Sequence, residues 1–347
     1  MISDAPLDIE HRRQLEAYLR TKGHASANES LRIQRLVGGV SNRTMLVQFS
    51  DGRTWVVKQA LAKLRVAADW FSDPARIERE AQGLRRLPEL APPGTITPLV
   101  FEDRQQHLLA MQAVPEPHEN WKESLLAGNI QQQSVEQFGQ LLASIHAKAT
   151  AQRHLLAAEF ADRSFFESLR LEPYYAYTAL QVPAAAEFMQ NLIVDTRCRN
   201  DTLVHGDYSP KNVLVYAGRL VLLDHEVIHW GEPAFDLGFS LTHFLSKAHH
   251  LPAYRHAFAA ATNRYWNIYR VTLGDVDWAD DLESRAVRHT LACLLARVAG
   301  RSPLEYLDSI GQARQAQVVS DLMLQPPKQI KLLIDAFLER IEHHESH

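Results

Sequence analysis

The chain has 347 residues, 46% hydrophobic and 22% charged, with a formal net charge of -4. That length accommodates two domains and a large core, and the composition is that of an ordinary globular protein. The mild negative charge excludes the basic excess that nucleic acid or an anionic membrane selects, and no apolar run approaches the roughly 18 residues of a membrane helix.

The start, Met1-Ile2-Ser3-Asp4, is polar and acidic and does not read as a signal peptide, so a cytoplasmic protein is expected. Residues Ile9 to Thr21 pattern as a short amphipathic helix. Arg32 to Val37 and Thr44 to Phe49 read as strands, and Asp51-Gly52 is a hairpin turn leading into a third strand, Thr54 to Lys58. Ser72-Asp73-Pro74 predicts a helix start with a capping side chain and Pro in the first turn, and the helix runs to about Leu87. Pro92-Pro93-Gly94 breaks the chain before a strand pair at Leu99 to Glu102 and His107 to Ala113. The segment Val114 to Asn120, with Pro115 and Pro117, is the linker candidate.

Beyond it the pattern turns helical. Ser134 with Gln137 has capping-box spacing, followed by Phe138, Leu141, Leu142 and Ile145 on one face. Helices are predicted at Phe165 to Leu169, Ala184 to Val194, Phe235 to Ala248, Tyr254 to Tyr269, Leu282 to Ala299 and Gln329 to His343. Gly300 stands where a C-terminal glycine belongs. Cys198 and Cys293 make neither a disulfide framework nor a metal spacing and read as one surface and one core thiol. The pairs His249-His250 and His343-His344 read as solvated. The fold class is therefore α+β: a small N-terminal antiparallel-sheet lobe, residues 1–114, and a larger, mainly helical C-terminal lobe, residues 115–347.

The candidate chemistry is concentrated in two places. In the second half, Leu203 to Glu226 holds His205-Gly206-Asp207, then Asn212, then an apolar strand ending at Asp224. An Asp after a glycine bend, an Asn five residues on and an Asp closing a buried strand make a phosphoryl-transfer pattern. Asp207 would accept the proton of a substrate hydroxyl, and Asn212 and Asp224 would hold Mg²⁺ against a nucleotide. Glu226 would join the metal if the chain stays extended, because side chains two apart then point the same way, with His225 turned away. Asp236, opening the next helix, is expected to brace the loop through backbone hydrogen bonds.

In the first half, Gly38 and Gly39 let the backbone approach phosphates, and Ser41 and Asn42 offer donors. Lys58, ending its strand, would reach the α- and β-phosphates. Glu80 falls inside the apolar stripe Ile77, Ala81, Leu84 and Leu87, whereas Glu78, Arg79 and Arg86 fall outside it. A carboxylate on a buried face needs a cation, and Lys58 is its natural partner. Gln112 and Val114, where the last strand meets the linker, complete the nucleotide-binding candidates.

These residues together resemble the aminoglycoside phosphotransferase/choline kinase superfamily over roughly Ile33 to Tyr306, which implies a two-lobed, protein-kinase-like fold. The resemblance implies that Asp207 is the catalytic base, that Asn212 and Asp224 bind magnesium, and that Lys58 and Glu80 position the nucleotide. Lys58-Gln59-Ala60-Leu61, Arg65-Val66, Asp69-Trp70 and Asp224-His225-Glu226 are similar to methylthioribose kinases, whereas Tyr208-Ser209-Pro210-Lys211 departs from their loop. The expected activity is ATP- and Mg²⁺-dependent phosphorylation of a hydroxyl on a small molecule, such as the sugar methylthioribose. The alternatives are an aminoglycoside phosphotransferase, for which the acidic run Asp275, Asp277, Asp280, Asp281 and Glu283 would have to face the acceptor, and a non-catalytic nucleotide-binding protein. A protein kinase is disfavoured because no Arg follows His205 and no Ala-Pro-Glu follows Asp224. One chain does not disclose an oligomeric state.

Overall fold

Strand alternation sets the first layer. In the computed structural model, which describes residues 7–37, 39–66 and 69–345, β1 (Leu31–Arg35), β2 (Asn42–Phe49), β3 (Thr54–Ala60), β4 (Leu99–Asp103) and β5 (Leu108–Gln112) form an antiparallel sheet. Its order is β1-β2-β3-β5-β4. Successive side chains point to opposite faces. Met45, Val47, Trp55 and Val57 therefore pack with Leu15 and Leu19 of α1 (Arg12–Thr21), while Thr54, Val56 and Lys58 face a large cleft. The helix α2 (Arg76–Leu90) covers the cleft face at β4 and β5, burying Ile77, Ala81, Leu84 and Leu87.

Three expectations about this part need correction. Helix α1 starts at Arg12 rather than Ile9. Ser72 does not cap α2: the helix begins at Arg76 after Ala75, and Asp73 instead accepts the Ala75 N–H in the turn before it. The end of the linker is also structured. His118–Asn120 forms β6, paired with β8 (Val213–Tyr216), because the chain leaving the sheet runs antiparallel beside the hairpin of the second half.

The helical part consists of α3 (Trp121–Leu126), α4 (Gln132–Ala151), α5 (Arg153–Glu159), α6 (Ser164–Phe166), a π-helical stretch (Glu167–Ala176), α7 (Tyr177–Gln181) and α8 (Ala186–Cys198). It continues with α9 (Pro233–His250), α10 (Arg255–Leu273), α11 (Leu282–Ala299), α12 (Ser309–Leu324) and α13 (Ile330–Glu345). Two small sheets interrupt it: β7 (Thr202–Val204) with β10 (His229–Gly231), and β6 with β8 and β9 (Arg219–Leu222). Helix α9 is buried on almost every side, its polar residues Asp236, Ser240, Thr242, His243, Ser246, Lys247 and His249 included. It sits between α10 and α11. Gly238 allows α11 close enough that an added Cβ would lie 2.4 Å from the His289 Cβ.

Ser134 is not a cap either: α4 starts two residues earlier, Ser134 is buried in its first turn, and Gln137 instead accepts the Leu220 N–H and donates to the Gly218 carbonyl. The helix predicted at Phe165 to Leu169 runs on through the π-helical stretch to Gln181. Helix α12 had no counterpart among the expectations, because its buried face begins with Gly311 and Gln315, which carry no apolar signal. Gly300 does follow α11, but with φ -86°, so the left-handed cap is absent. Space explains that glycine, since a Cβ there would lie 2.4 Å from the Ala296 carbonyl oxygen. His249 is buried against Gln315 rather than solvated. Cys198 is exposed and Cys293 buried, as expected. Among the described residues no helix is long and apolar enough to cross a membrane. The N-terminal segment Met1 to Asp4 lies outside the described residues.

Candidate active site

The loop after β7 is shaped by one glycine and one buried acid. Gly206 has φ +77°, and a Cβ there would lie 2.9 Å from Val227 Cγ2 and 3.0 Å from the Val227 carbonyl oxygen, so both conformation and space demand glycine. Asp236, fully buried in the first turn of α9, accepts the His205 N–H at 2.7 Å and the Gly206 N–H at 2.8 Å. Burial pushes its carboxyl up, but hydrogen bonds from the His146 side chain and the His205 N–H, with the electrostatic pull of both imidazoles, outweigh that and hold it below the ordinary carboxylate range. Asp236 thus braces the loop as expected, while the cap of α9 itself is Glu232, which accepts the Ala234 N–H.

The braced loop presents Asp207. Asn212 Nδ2 donates to Asp207 Oδ2 at 2.7 Å, and Arg170 Nη2 lies 2.9 Å from Asp207 Oδ1. Arg170 Nε also donates to the Gly206 carbonyl at 2.7 Å. Arg170 therefore ties the carboxylate to the loop backbone. The sequence reading missed it, because it lies on the π-helical stretch and nothing in the local pattern marks it.

Lys58 reaches from the sheet to the same place. Its Nζ lies 2.6 Å from Glu80 Oε1 and 2.8 Å from Asp224 Oδ1. Burial would depress this ammonium, but Asp224, Glu80 and Glu226 outweigh burial and hold it above its ordinary value. Glu80 is fully buried, as its place in the apolar stripe predicted, and burial pushes its carboxyl up to about 7 against the pull of Lys58. Asp224 goes the other way: Lys58 outweighs its burial and keeps it well below the ordinary value. Arg79, placed outside the stripe, is nonetheless buried, with its guanidinium over the Phe160 ring.

The backbone at Asp224 is left-handed, φ +67°, so the extended geometry expected for Asp224 to Glu226 does not occur. Their carboxylates still converge: one oxygen each from Glu80, Asp224 and Glu226 all lie within 4.8 Å of one another. His225 is turned away, its Nδ1 3.1 Å from His205 Nε2. Glu226 Oε2 accepts Asn42 Nδ2 at 3.0 Å and Arg76 Nε at 3.1 Å, and Arg76 is completely buried. Arg76 is a second side chain that sequence reasoning passed over. Lys58 already holds Glu80 and Asp224; the oxygen donors left facing the cavity, on Asp224, Glu226 and Asn212, are of the kind a hard divalent cation takes, and among the described residues Glu80 Oε2 is buried without a hydrogen-bond partner.

All of this opens on one cavity of about 990 Å³. Gly39, Ser41, Asn42, Lys58, Gln112 and Val114 line it, as do Asp207, Asn212, Asp224 and Glu226. Glu80 stands behind Lys58 and off the wall, and Gly38 lies outside the described residues. The far wall comes from the π-helical stretch, α9 and α11, with Tyr174, Phe239, His243 and Arg297. Trp266 is a core residue stacked on Tyr269, and Arg301 binds Glu172. The acidic run does not line this cavity. Asp277 pairs with Arg153, Asp281 with Arg199 and Arg285, and Glu283 accepts the Ile330 N–H.

Residues 32–272 match the model of the phosphotransferase enzyme family. A methylthioribose kinase from Pectobacterium atrosepticum is 24% identical over 285 residues, which cover 69% of this chain and 70% of that protein. Among solved structures, a choline kinase from Cryptosporidium parvum superimposes with a TM-score of 0.55 at 11% identity, over 94% of this chain and 98% of the other. A choline kinase from Streptococcus pneumoniae does so with a TM-score of 0.50 at 14% identity, over 96% and 99%. The structural likenesses establish a kinase-like fold. The chain belongs to the phosphotransferase enzyme family.

Proposed function

We propose that this member of the phosphotransferase enzyme family is an ATP-dependent kinase that phosphorylates a hydroxyl of a small molecule, with a sugar such as methylthioribose as the first acceptor to try. The observation that carries this reading is the meeting of Asp207, Asn212, Asp224 and Lys58 on one cavity, with Glu80 holding Lys58 from behind. We take residues 1–114 as the nucleotide lobe and 115–347 as the catalytic and acceptor lobe.

The Gly39 to Asn42 turn and Lys58 would cradle the phosphates, with Gln112 and Val114 along the wall beside them. Asn212 and Asp224 would hold Mg²⁺, with Glu226 the further candidate ligand. The ion, when bound, neutralises charge on the nucleotide phosphates. Asp207 would accept the acceptor's proton as its oxygen bonds to the γ-phosphorus, while the bond from that phosphorus to the bridging oxygen of ADP breaks. Arg170 would hold the Asp207 carboxylate in line. The match to methylthioribose kinases supports a sugar-like acceptor. A polycationic antibiotic is less well supported, because none of the acidic run lines the cavity and Asp277, Asp281 and Glu283 are held in ion pairs and a hydrogen bond to the start of α13.

The test is ADP formation from Mg-ATP with methylthioribose, simple sugars, aminoglycosides or no acceptor. Acceptor-dependent turnover is expected with one set, and Asp207→Asn should lower it about 10²–10⁴-fold with nucleotide binding retained. Undiminished transfer by that variant would remove Asp207 from its role.

A further inference from the structure

The far wall of the cavity carries more positive charge than the protein itself neutralises. His243 on α9 and Arg297 on α11 line that wall. Around His243 stand Lys247, Arg297, Lys122 and Lys211, and burial together with these four cations holds the imidazole well below its ordinary value. Among the described residues only Lys122 of the four makes ion pairs, with Glu305 and Glu123; these two acids also face Lys247, Glu305 faces Arg297, and Asp224 faces Lys211. Among the described residues Lys211, Lys247 and Arg297 form no ion pair.

Two of these cations are buried. Lys247 is fully buried, and its Nζ donates to the His243 carbonyl at 3.3 Å and lies over the Tyr306 ring. Burial and the neighbouring Lys122 and Arg297 outweigh the attraction of Glu305 and Glu123 and pull that ammonium down to about 7. Arg297 donates to the neutral oxygens of Ser302 and, at 3.2 Å, Tyr174, while its Nε is buried without a hydrogen-bond partner among the described residues. The acids deeper in the cavity are already engaged, Asp207 by Arg170, Asp224 by Lys58 and Glu226 by Arg76. The other two on its wall, Glu116 and Glu123, are largely exposed at 77% and 70%. A buried cation without a counter-charge is unfavourable, and a guanidinium fork matches the oxygens of a carboxylate or a phosphate.

We propose that the acceptor is an anionic hydroxy compound, bearing a carboxylate or a phosphate monoester that seats against Arg297 and His243 with Lys247 behind them. This rests on the kinase reading for the place of the acceptor and adds its charge class, which replaces uncharged methylthioribose with an anionic hydroxy compound.

The experiment is titration calorimetry on the full chain, with Mg²⁺ and a non-hydrolysable ATP analogue present. D-glucuronate is compared with D-glucose, D-ribose 5-phosphate with D-ribose, and methylthioribose and kanamycin are run beside them. Turnover of the same compounds with Mg-ATP follows. At least one anionic compound is expected to bind tenfold or more tightly than its uncharged counterpart. Arg297→Gln and Lys247→Met should each remove most of that advantage, with melting curves showing both variants folded. If Arg297→Gln does not fold, the apolar substitution at Lys247 carries the test. Equal or tighter binding of the neutral or cationic compounds, or no binding of either anion, overturns the proposal. Turnover of a neutral acceptor that Asp207→Asn abolishes keeps the kinase and sinks the anionic acceptor. Anion binding that Arg297 and Lys247 govern, without turnover of any compound, keeps the anion site and sinks the kinase.

Discussion

Replacing Lys58 by Met removes one cation from three carboxylates. In the folded chain its Nζ sits 2.6 Å from Glu80 Oε1 and 2.8 Å from Asp224 Oδ1, and Glu80 is fully buried. Breaking a buried pair from one side costs about 3–5 kcal/mol, because the remaining charge loses its partner. The cost should depend on pH, and the sign follows from Glu80. Its folded value, about 7, lies above its ordinary 4.5. A carboxyl raised in this way contributes stability that is complete below the ordinary value and lost as pH rises through the folded one. In the native chain that loss ends near pH 7. Without Lys58 the folded value moves higher, and the loss continues upward at about 1.4 kcal/mol per pH unit. The deficit of Lys58→Met against the native chain should therefore grow by about 1 kcal/mol between pH 6 and pH 8. Urea unfolding followed by far-UV circular dichroism at both pH values measures it, and adding Glu80→Gln to the variant should recover much of the loss. A deficit under about 1 kcal/mol, a fraction of the usual cost of breaking such a pair, or one that does not change with pH, would refute the claim that Lys58 holds the Glu80 carboxyl down against its burial.

Other consequences are equally direct. Arg170→Met frees Asp207 from its 2.9 Å contact, and kcat should fall about 10²-fold, the scale of a misplaced reacting group; unchanged kcat would leave Arg170 a structural residue. Asp236→Asn weakens the brace on His205 and Gly206 and should lose about 1–3 kcal/mol at pH 7. Because the native Asp236 carboxyl lies below its ordinary 3.8, its contribution is present above that value and lost as pH falls through the folded one, so the gap should close in acid. Denaturation curves at pH 7 and pH 3 check this, and a gap that persists would point to shape rather than charge. Gly238→Ala places a Cβ 2.4 Å from His289 Cβ and 2.6 Å from its carbonyl carbon. Overpacking there should cost about 1–3 kcal/mol or more, and an unshifted melting temperature would show that α9 and α11 part easily.

Much of the site was legible because its parts are local. Glycine at 206, Asp207 beside it, Asn212 five residues on and Asp224 at the end of an apolar strand are short-range demands of a bend and a hairpin. Glu80 was found by period alone: a charged residue inside an apolar stripe announces a buried partner. The errors have physical causes too. Ser72 and Ser134 have capping side chains, but α2 begins later and α4 earlier than those serines require, since tertiary packing overrides weak end signals. Helix α12 hides because glycine and glutamine occupy its buried side.

The sequence by itself determined the α+β class, the strand alternation that turns Lys58 inward and the order of the chemical groups along the loop, since these depend on side-chain period and backbone sterics within a few residues. Only the tertiary structure decided the rest. It brought Arg170 to Asp207 across 37 positions and Arg76 to Glu226 across 150, bent Asp224 into a left-handed conformation that still lets three carboxylates converge, and gathered Lys247, His243 and Arg297 from α9 and α11 behind one wall. Contacts between residues so far apart depend on how helices pack against one another, and no short-range pattern records which cations end up sharing a buried surface.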